Sequence, residues 1–249
     1  MQKVARIFRW ALAFAAAGVV TSSFDRTANA LENVPPKESA RSPRKTSFIP
    51  YFLAGGAVRL DDAPLFNITQ RVGGNFGLGF LYEIQPISFG LSYEHTGLGR
   101  ESSGVGPYGF VQIDRSIDTV LASIRMSFSG LSWATPYFGV GIGGTWQDAS
   151  MNGVVLPDRG VSGGVPFSCK SSDDINLALR VSGGLAIPLS SNVSFLTDAT
   201  FDAYRLSSDI IQLCAPGAGS TSSFLFRIGL AYRFDIVESP KPLPPSPRP

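Results

Sequence analysis

The sequence is poor in the residues that build metal centres. Its 249 residues include one histidine, His95, and two cysteines, Cys169 and Cys214. Structural and catalytic zinc sites need three or four cysteine, histidine or carboxylate ligands held together. A zinc cluster is therefore not expected, and no cofactor is predicted.

Charge and long apolar runs are also scarce. Charged residues make up 16% of the chain, against roughly 25% in typical soluble domains. The net charge of +2 is too small to suggest a nucleic-acid partner. No stretch after the N-terminal region approaches the roughly 20 apolar residues of a membrane-spanning helix. Few charges, many glycines and many aromatic residues instead fit a barrel that meets lipid with one face of each strand.

The N-terminus has the three parts of an export signal. Lys3, Arg6 and Arg9 precede the apolar run from Trp10 to Val20, and Ala28-Asn29-Ala30 supplies a small-x-small cleavage site. The alternative, an anchor helix, needs a longer apolar run. We predict a signal peptide over residues 1–30, cleaved after Ala30.

Both ends of the mature chain are predicted to be disordered. Residues 31–46 combine prolines with basic residues, and residues 237–249 are dominated by proline. Proline cannot donate a hydrogen bond to a sheet, so the tail is expected to be a stiff extended segment. Residues 47–236 remain for the folded domain.

Period-two hydrophobicity recurs through that domain and is clearest from Ser222 to Phe234. One face carries Phe224, Phe226, Ile228, Leu230, Tyr232 and Phe234, and the other carries Arg227, Gly229, Ala231 and Arg233. Side chains alternate between the two faces of a strand, so this pattern indicates β-structure. Seven further strands are predicted, namely Phe48–Val58, Gly74–Tyr82, Ile87–Tyr93, Ile117–Phe128, Pro136–Trp146, Ile175–Ile187 and Val193–Tyr204.

The two faces indicate a membrane barrel rather than a soluble sandwich. The apolar face is bulky and aromatic, whereas the opposite face carries glycine, serine, threonine and charge, which suits a lipid-facing exterior and a narrow polar interior. The predicted fold is all-β, an eight-stranded antiparallel up-and-down transmembrane β-barrel. Short connections, residues 83–86, 129–135 and 188–192, follow the even strands, and long ones, residues 59–70, 96–116, 147–173 and 206–220, follow the odd strands. Long loops are typically extracellular, so both mature termini are expected in the periplasm of a Gram-negative bacterium.

The end of the last strand resembles the terminal assembly signal of bacterial outer-membrane proteins. The matching residues of this signal are Arg227, Gly229, Tyr232 and Phe234, and together with the architecture they make the chain similar to the small OmpA/OmpX-like barrels. The resemblance implies recognition by the barrel-assembly machinery. One departure is that the signal usually ends the chain, whereas here a proline-rich tail follows.

Four charged residues on three neighbouring strands are predicted to meet inside the barrel. Counting back from the turn at Pro188–Asn192 places Arg180 near Thr200, between Asp198 and Asp202, and Arg227 at the same level. An eight-stranded barrel has an interior just wide enough for side chains, and buried charges must be paired. We therefore predict a plugged lumen.

The two cysteines are predicted to form a disulfide. Cys169 precedes the sixth predicted strand and Cys214 follows the seventh, so both fall on the extracellular side of one hairpin. Exported thiols enter an oxidising compartment in which such pairs tend to bond.

Three other patterns were weighed as sites. Gly139 to Gly144 matches the dinucleotide-binding glycine pattern, but no helical period follows it, so the glycines are expected to line the inner wall. Asp61, Asp62, Asp173 and Asp174 carry carboxylates suited to calcium, although solvated loop charge is the preferred interpretation. His95, beside Glu94, suggests a base like that of lipid A deacylase barrels. That family has serine two residues after its histidine, whereas this chain has Gly97. Ser102, Ser103 and Ser123 are the remaining candidate nucleophiles.

The sequence thus favours a non-enzymatic outer-membrane barrel with an envelope structural or surface-interaction role and a plugged or very narrow lumen. The alternative is a barrel enzyme acting on lipid A or other envelope lipids with His95 as base. Outer-membrane lipid, lipopolysaccharide and the assembly machinery are the expected partners, and nucleic acid is not.

Overall fold

The computed structural model describes residues 46–60, 68–104, 109–128, 131–156 and 163–236. The predicted signal peptide, the segment from Leu31 to Lys45, the tail from residue 237, Asp61 and Asp62 lie outside these residues. No helical segment in the described ranges is long and apolar enough to cross a membrane.

The described residues form eleven β-strands and one short 3-10 turn, Ile211–Leu213. The strands are β1 (Thr46–Arg59), β2 (Ile68–Gln70), β3 (Val72–Ile84), β4 (Ile87–Gly104), β5 (Gly109–Ser127), β6 (Thr135–Val155), β7 (Val165–Ser172), β8 (Asn176–Pro188), β9 (Val193–Arg205), β10 (Ser220–Tyr232) and β11 (Phe234–Ile236).

Eight of these strands, all except β2, β7 and β11, close into an antiparallel barrel. Their order is β10-β9-β8-β6-β5-β4-β3-β1, and β1 pairs with β10 to complete the ring. The three short strands extend this sheet, since β2 pairs with β4, β7 with β6, and β11 with β1. The predicted eight-stranded antiparallel barrel is confirmed.

The two ends of the barrel differ. One end carries Thr46, Ile236 and the turns at residues 85–86 and 189–192, and we call it the short-turn end. The other carries the extended hairpins of β4–β5 and β6–β7 and the β9–β10 connection, and we call it the long-hairpin end. The layout follows from strictly sequential pairing, which places successive connections at alternate ends.

The faces of the barrel are inverted relative to a soluble protein. Large apolar side chains stand on the outside, including Phe52 (51% exposed), Leu78 (56%), Ile142 (57%) and Phe226 (61%). Their strand neighbours on the inside are buried polar groups such as Ser92, Thr119, Thr145, Asp198 and Arg227. This arrangement is stable when the outside meets hydrocarbon and the inside is filled by paired polar groups.

The structure also shows the facing of the first strand, for which the sequence pattern from Phe48 to Val58 does not distinguish the two faces. Leu53 and Ala57 of β1 are buried in the lumen, whereas Phe48 and Phe52 are exposed on the outside. The ambiguity arose because small and apolar residues occupy both faces of β1.

Two predicted loops are wrong in extent. Much of the predicted connections at residues 96–116 and 147–173 is strand, because β4 and β5 run on to Gly104 and from Gly109, and β6 continues to Val155 before β7. The extended parts of these strands, which we call the hairpin arms, lie beyond the band of outward apolar side chains, which we call the apolar belt. Their outward residues include Gln112 and Asp114, so the arms lack the apolar alternation that identifies a strand in the sequence.

A β-bulge lies in the extended part of β4, where the pairing with β5 shifts register between Gly97 and Arg100. Gly99 has φ +86°, a conformation that favours glycine. Before the bulge the even-numbered residues of β4 point inward, and after it the odd-numbered residues do. Glu101 is therefore buried although Arg100 is exposed.

Candidate functional site: a charged layer across the lumen

The structure brings the four charged residues predicted for the lumen into one layer at mid-barrel. Arg180 donates from Nε to Asp202 Oδ1 at 2.7 Å and from Nη2 to Asp202 Oδ2 at 2.6 Å. Arg227 donates from Nε to Asp198 Oδ1 at 3.1 Å. All four side chains are buried. These charge-assisted hydrogen bonds therefore connect β8, β9 and β10.

The residue that joins these two pairs is Glu94, whose role was missed in the sequence. Its carboxylate accepts from Arg180 Nη2 at 2.7 Å and from Arg227 Nη1 at 2.6 Å, and also from Arg180 Nη1. Glu94 is on β4, across the lumen from β8 and β10. A signal for this role is present in the sequence, because Glu94 falls on the polar face of its predicted strand. From the sequence, Glu94 is assigned only as a neighbour of His95.

The register of Arg180 differs from the predicted one by two residues. Arg180 is paired with Asp202, and Ser182 is opposite Thr200. The count from the turn was wrong because the pairing ends at Pro188 and Ser194, so the turn is centred one residue later than assumed.

Hydroxyl groups complete the layer. Tyr204 donates to Asp202 Oδ2 at 2.8 Å, Tyr137 donates to Asp198 Oδ2 at 3.0 Å, and Thr200 Oγ1 accepts from Arg227 Nη2 at 3.0 Å and donates to Asp198. Buried charges are tolerated only when their hydrogen-bonding capacity is used. Beside this layer remains a void of about 20 Å³, about the space of one water molecule.

Glycines on neighbouring strands make room for the large polar side chains. A Cβ at Gly77 would lie 2.6 Å from Glu94 Cγ, and one at Gly184 would lie 2.5 Å from the Tyr137 hydroxyl. The inner wall is therefore shaped to the side chains that fill it.

We expect Gly77→Ala to destabilise the barrel by about 1–3 kcal/mol, the usual cost of overpacking. The new methyl group would displace Glu94 and loosen both of its ion pairs. Gly74→Ala on the same strand is the matched control, because nothing lies within 4 Å of a Cβ there. Urea unfolding in lipid vesicles checks the pair, and equal losses would contradict this explanation.

The β9–β10 connection packs against inward-facing residues at the long-hairpin end. Ile211, Cys214 and Ala215 pack on Ile113 and Ala149 in a small buried apolar cluster. Polar contacts hold the rest of the connection, since Arg115 Nε donates to Pro216 O at 2.9 Å and Gln147 Nε2 donates to Ser207 O at 3.0 Å.

Asp173 anchors the same connection. It accepts from Gln147 Nε2 at 3.0 Å, Asn176 Nδ2 at 3.2 Å and the Ser207 backbone N–H at 3.2 Å. Burial by itself would raise the pKa of Asp173, but these hydrogen bonds and one from the Asp174 N–H outweigh it and lower the pKa. Asp173 is thus used structurally. No group of three or more metal-ligating side chains occurs among the described residues.

A disulfide joins Cys169 of β7 to Cys214 of this connection, with the two Cα atoms 5.8 Å apart. The bond spans 45 residues of sequence, and a covalent loop of that length stabilises a fold by about 2–4 kcal/mol in the chain-entropy picture. The disulfide fixes the β9–β10 connection to β7.

His95 lies on the outer face of β4. Its Nδ1 is 2.9 Å from Asp118 Oδ1, and the Tyr93 hydroxyl donates to the same oxygen at 2.6 Å. No serine hydroxyl in the described part of the chain is hydrogen-bonded to the ring. Ser123 faces the lumen, and Ser102 and Ser103 lie beyond the bulge.

The glycine pattern from Gly139 to Gly144 lies wholly within β6 and is followed by more strand. A Cβ at Gly139 would lie 3.0 Å from Ser182 Oγ, so this glycine lines the inner wall as predicted. The prediction is wrong for Gly144, where a Cβ would lie 2.9 Å from the exposed Ile175 on the outer face.

The residues of the assembly-signal pattern are placed at the closing seam of the barrel. Arg227 and Gly229 face inward on β10, and the exposed rings of Tyr232 and Phe234 lie at the short-turn end with their centroids 4.6 Å apart. A Cβ at Gly229 would lie 1.8 Å from Phe52 O. Glycine is therefore required at this point for β1 and β10 to pair.

The closed ring of eight strands, the apolar exterior and the paired polar interior define an outer-membrane β-barrel protein. Its architecture is the eight-stranded antiparallel up-and-down barrel that the sequence predicted.

No protein-family model matches the sequence, and no curated protein matches it. Among solved structures, the chain is similar to Neisserial surface protein A, with 15% identity and a TM-score of 0.48 over 76% of this chain and 97% of that one. It is also similar to Ail, the attachment invasion locus protein of Yersinia pestis, with 17% identity and a TM-score of 0.41 over 77% and 99%. A major outer membrane protein from Thermus thermophilus shows 16% identity and a TM-score of 0.39 over 76% and 99%. These scores are low, so the class rests on the chain's own closed barrel and inverted surface.

Proposed function

We propose that this protein is a sealed, non-enzymatic barrel with a structural or surface-interaction role in the outer membrane. The observation that carries the proposal is the layer built on Glu94, Arg180 and Arg227, in which each guanidinium binds one carboxylate of β9 and also Glu94 across the lumen. Together with the disulfide-anchored connection above it, this layer closes the lumen to ions. Outer-membrane lipid and lipopolysaccharide would surround the apolar belt, and the assembly machinery would act on the closing strand.

Planar-bilayer recording tests the sealed lumen. The purified barrel should show no large, steady conductance, because moving an ion past the charged layer requires breaking buried ion pairs. A stable open channel in the wild-type protein would contradict the proposal.

We further propose that the long-hairpin end is extracellular and that both termini are periplasmic. Leu156→Cys at the long-hairpin end should then react with a membrane-impermeant maleimide on intact cells, whereas Leu189→Cys at the short-turn end should not. Both leucines are exposed, at 42% and 61%, and the native cysteines are bonded to each other. The reverse labelling pattern would overturn this orientation.

One observation supports the alternative of an envelope-lipid enzyme. Asp118 holds Nδ1 of His95, as the orienting acid does in a catalytic triad. Such an enzyme needs a nucleophile or an activated water at the other ring nitrogen. Deacylation of lipopolysaccharide by the purified protein, lost in His95→Gln, would favour this alternative over the structural role.

A further inference from the structure

A second polar cavity lies inside the barrel at the short-turn end, and we call it the vestibule. Its volume is about 190 Å³, and its wall includes Glu83, Ser88, Arg125, Ser127, Ser194 and Arg233. The charged layer at mid-barrel lies above it, with Arg125 bordering both the vestibule and the small void beside that layer. The vestibule is therefore a dead-end chamber.

Arg125 has an unusual environment for an inward-facing arginine. Its guanidinium carbon lies 4.0 Å from the centroid of the Tyr137 ring and 5.7 Å from that of Tyr51. Among the described residues, it makes these ring contacts but no hydrogen bond and no ion pair. Ring contacts engage the face of the guanidinium, so the N–H donors at its edge remain for another acceptor.

Serine hydroxyl groups line the same vestibule as Arg125. Ser88 is only 2% exposed and lines the vestibule, as do Ser127 and Ser194. None of these three hydroxyls is hydrogen-bonded to another described residue. Ser88 is buried, and Ser127 and Ser194 are half-buried. A guanidinium and several hydroxyls that share one cavity and lack partners among the described residues are the donor set of an oxyanion site.

The neighbouring charges favour an anion over a cation. Arg233 Nη2 lies 2.8 Å from Glu83 Oε2, so these two residues form their own ion pair. Asp198, in the layer above, is engaged by Arg227, Thr200 and Tyr137. Within the described part of the vestibule wall, Arg125 is thus the charge that has no carboxylate in direct contact.

We propose that the vestibule binds a small oxyanion of the phosphate class, either the free ion or the phosphate of a small phosphomonoester. The planar guanidinium edge of Arg125 would donate two parallel hydrogen bonds to it, with Ser88 and Ser194 donating from the wall. The volume of the chamber admits such a group but not a lipid, and the layer above prevents its passage.

Isothermal titration of the full-length protein in nanodiscs with inorganic phosphate tests the proposal. We expect saturable binding that Arg125→Gln weakens by about tenfold or more, because the bonds are charge-assisted. Arg125→Lys should recover only part of the affinity, since a lysine keeps the charge but loses the planar fork. Arg205→Gln, which removes an exposed arginine at the long-hairpin end, is the matched control and should bind as the wild type does.

A second titrant and a second variant complete the test. Glycerol phosphate binding at the same site would identify the phosphomonoester as an accepted source, and its exclusion would identify the free ion. If Arg125→Gln does not fold, the Ser88→Ala/Ser194→Ala double variant should still lower phosphate affinity. Absence of saturable binding to the wild type, or equal binding by the folded vestibule variants, would overturn the proposal.

Discussion

Replacing Glu94 with alanine should lower the free energy of unfolding by about 3–5 kcal/mol, the cost of breaking a buried ion pair by removing one partner. Glu94 is 2% exposed and binds two guanidiniums at once. Its loss would leave Arg180 and Arg227 close together on the same side of the lumen with one carboxylate partner each. Repulsion between them adds to the lost hydrogen bonds.

Asp114→Ala is the matched control for this variant. Asp114 also accepts from an arginine, Arg100, at 2.8 Å, but that arginine side chain is 53% exposed. Exposed ion pairs contribute only about 0–1 kcal/mol. Urea unfolding of the two variants in lipid vesicles, followed by tryptophan fluorescence, should separate them clearly. Similar losses would mean that the layer built on Glu94 is not a major source of stability.

The second large effect is expected on the outer face. Ile124→Arg should destabilise the inserted barrel by about 2–4 kcal/mol, the cost of an arginine near the bilayer midplane. Ile124 is 50% exposed and lies midway along the outward apolar residues that run from Val120 to Phe128, along β5 and just past its end. A soluble barrel would tolerate an exposed arginine at this position with little change.

Ser116→Arg tests the same chemistry at another depth. Ser116 lies on the same strand and the same face, beyond the apolar belt, where the cost of arginine falls to about 0–1 kcal/mol. Unfolding from lipid vesicles gives the two values directly. Equal and small losses for both variants would contradict a lipid-facing exterior for β5.

The strands of the barrel wall were predictable because side chains alternate between a lipid-facing side and a lumen side, which gives the sequence a period-two pattern of apolar residues. In β10, every outward residue from Phe224 to Tyr232 is bulky and apolar, so the strand and its facing follow from the sequence. The same pattern fails for the hairpin arms past the apolar belt. There the outward side chains include polar residues such as Gln112 and Asp114, whereas part of the inner face packs in the apolar cluster of Ile113 and Ala149, so a bulky apolar face no longer marks the outside of the strand.

The charged layer was partly predictable for a related reason. Arg180, Asp202, Asp198 and Arg227 lie on neighbouring strands, so counting residues from turns brings them close together. Glu94 is 86 residues from Arg180 and 133 residues from Arg227, and its strand is adjacent to neither. Contacts across a lumen depend on how all eight strands close into a ring, and counting residues from a single turn does not predict that closure. The offset at Arg180 shows that even a neighbouring register depends on one residue of turn geometry.

The bulge between Gly97 and Arg100 decides which charges enter the lumen at the long-hairpin end. At that end Glu101 Oε1 lies 2.8 Å from Arg59 Nη1 and 3.0 Å from Arg115 Nη1. If the same residues of β4 paired without the bulge, Arg100 would occupy the inward position and Glu101 the outward one, so three arginines would converge with no carboxylate among them. The bulge absorbs one residue and thereby delivers a carboxylate to two guanidiniums. The length of β4 and the order of its charged residues are therefore coupled. Deleting the extra residue removes the bulge and leaves Glu101 facing inward. Removing the bulge while keeping that residue would turn Glu101 outward.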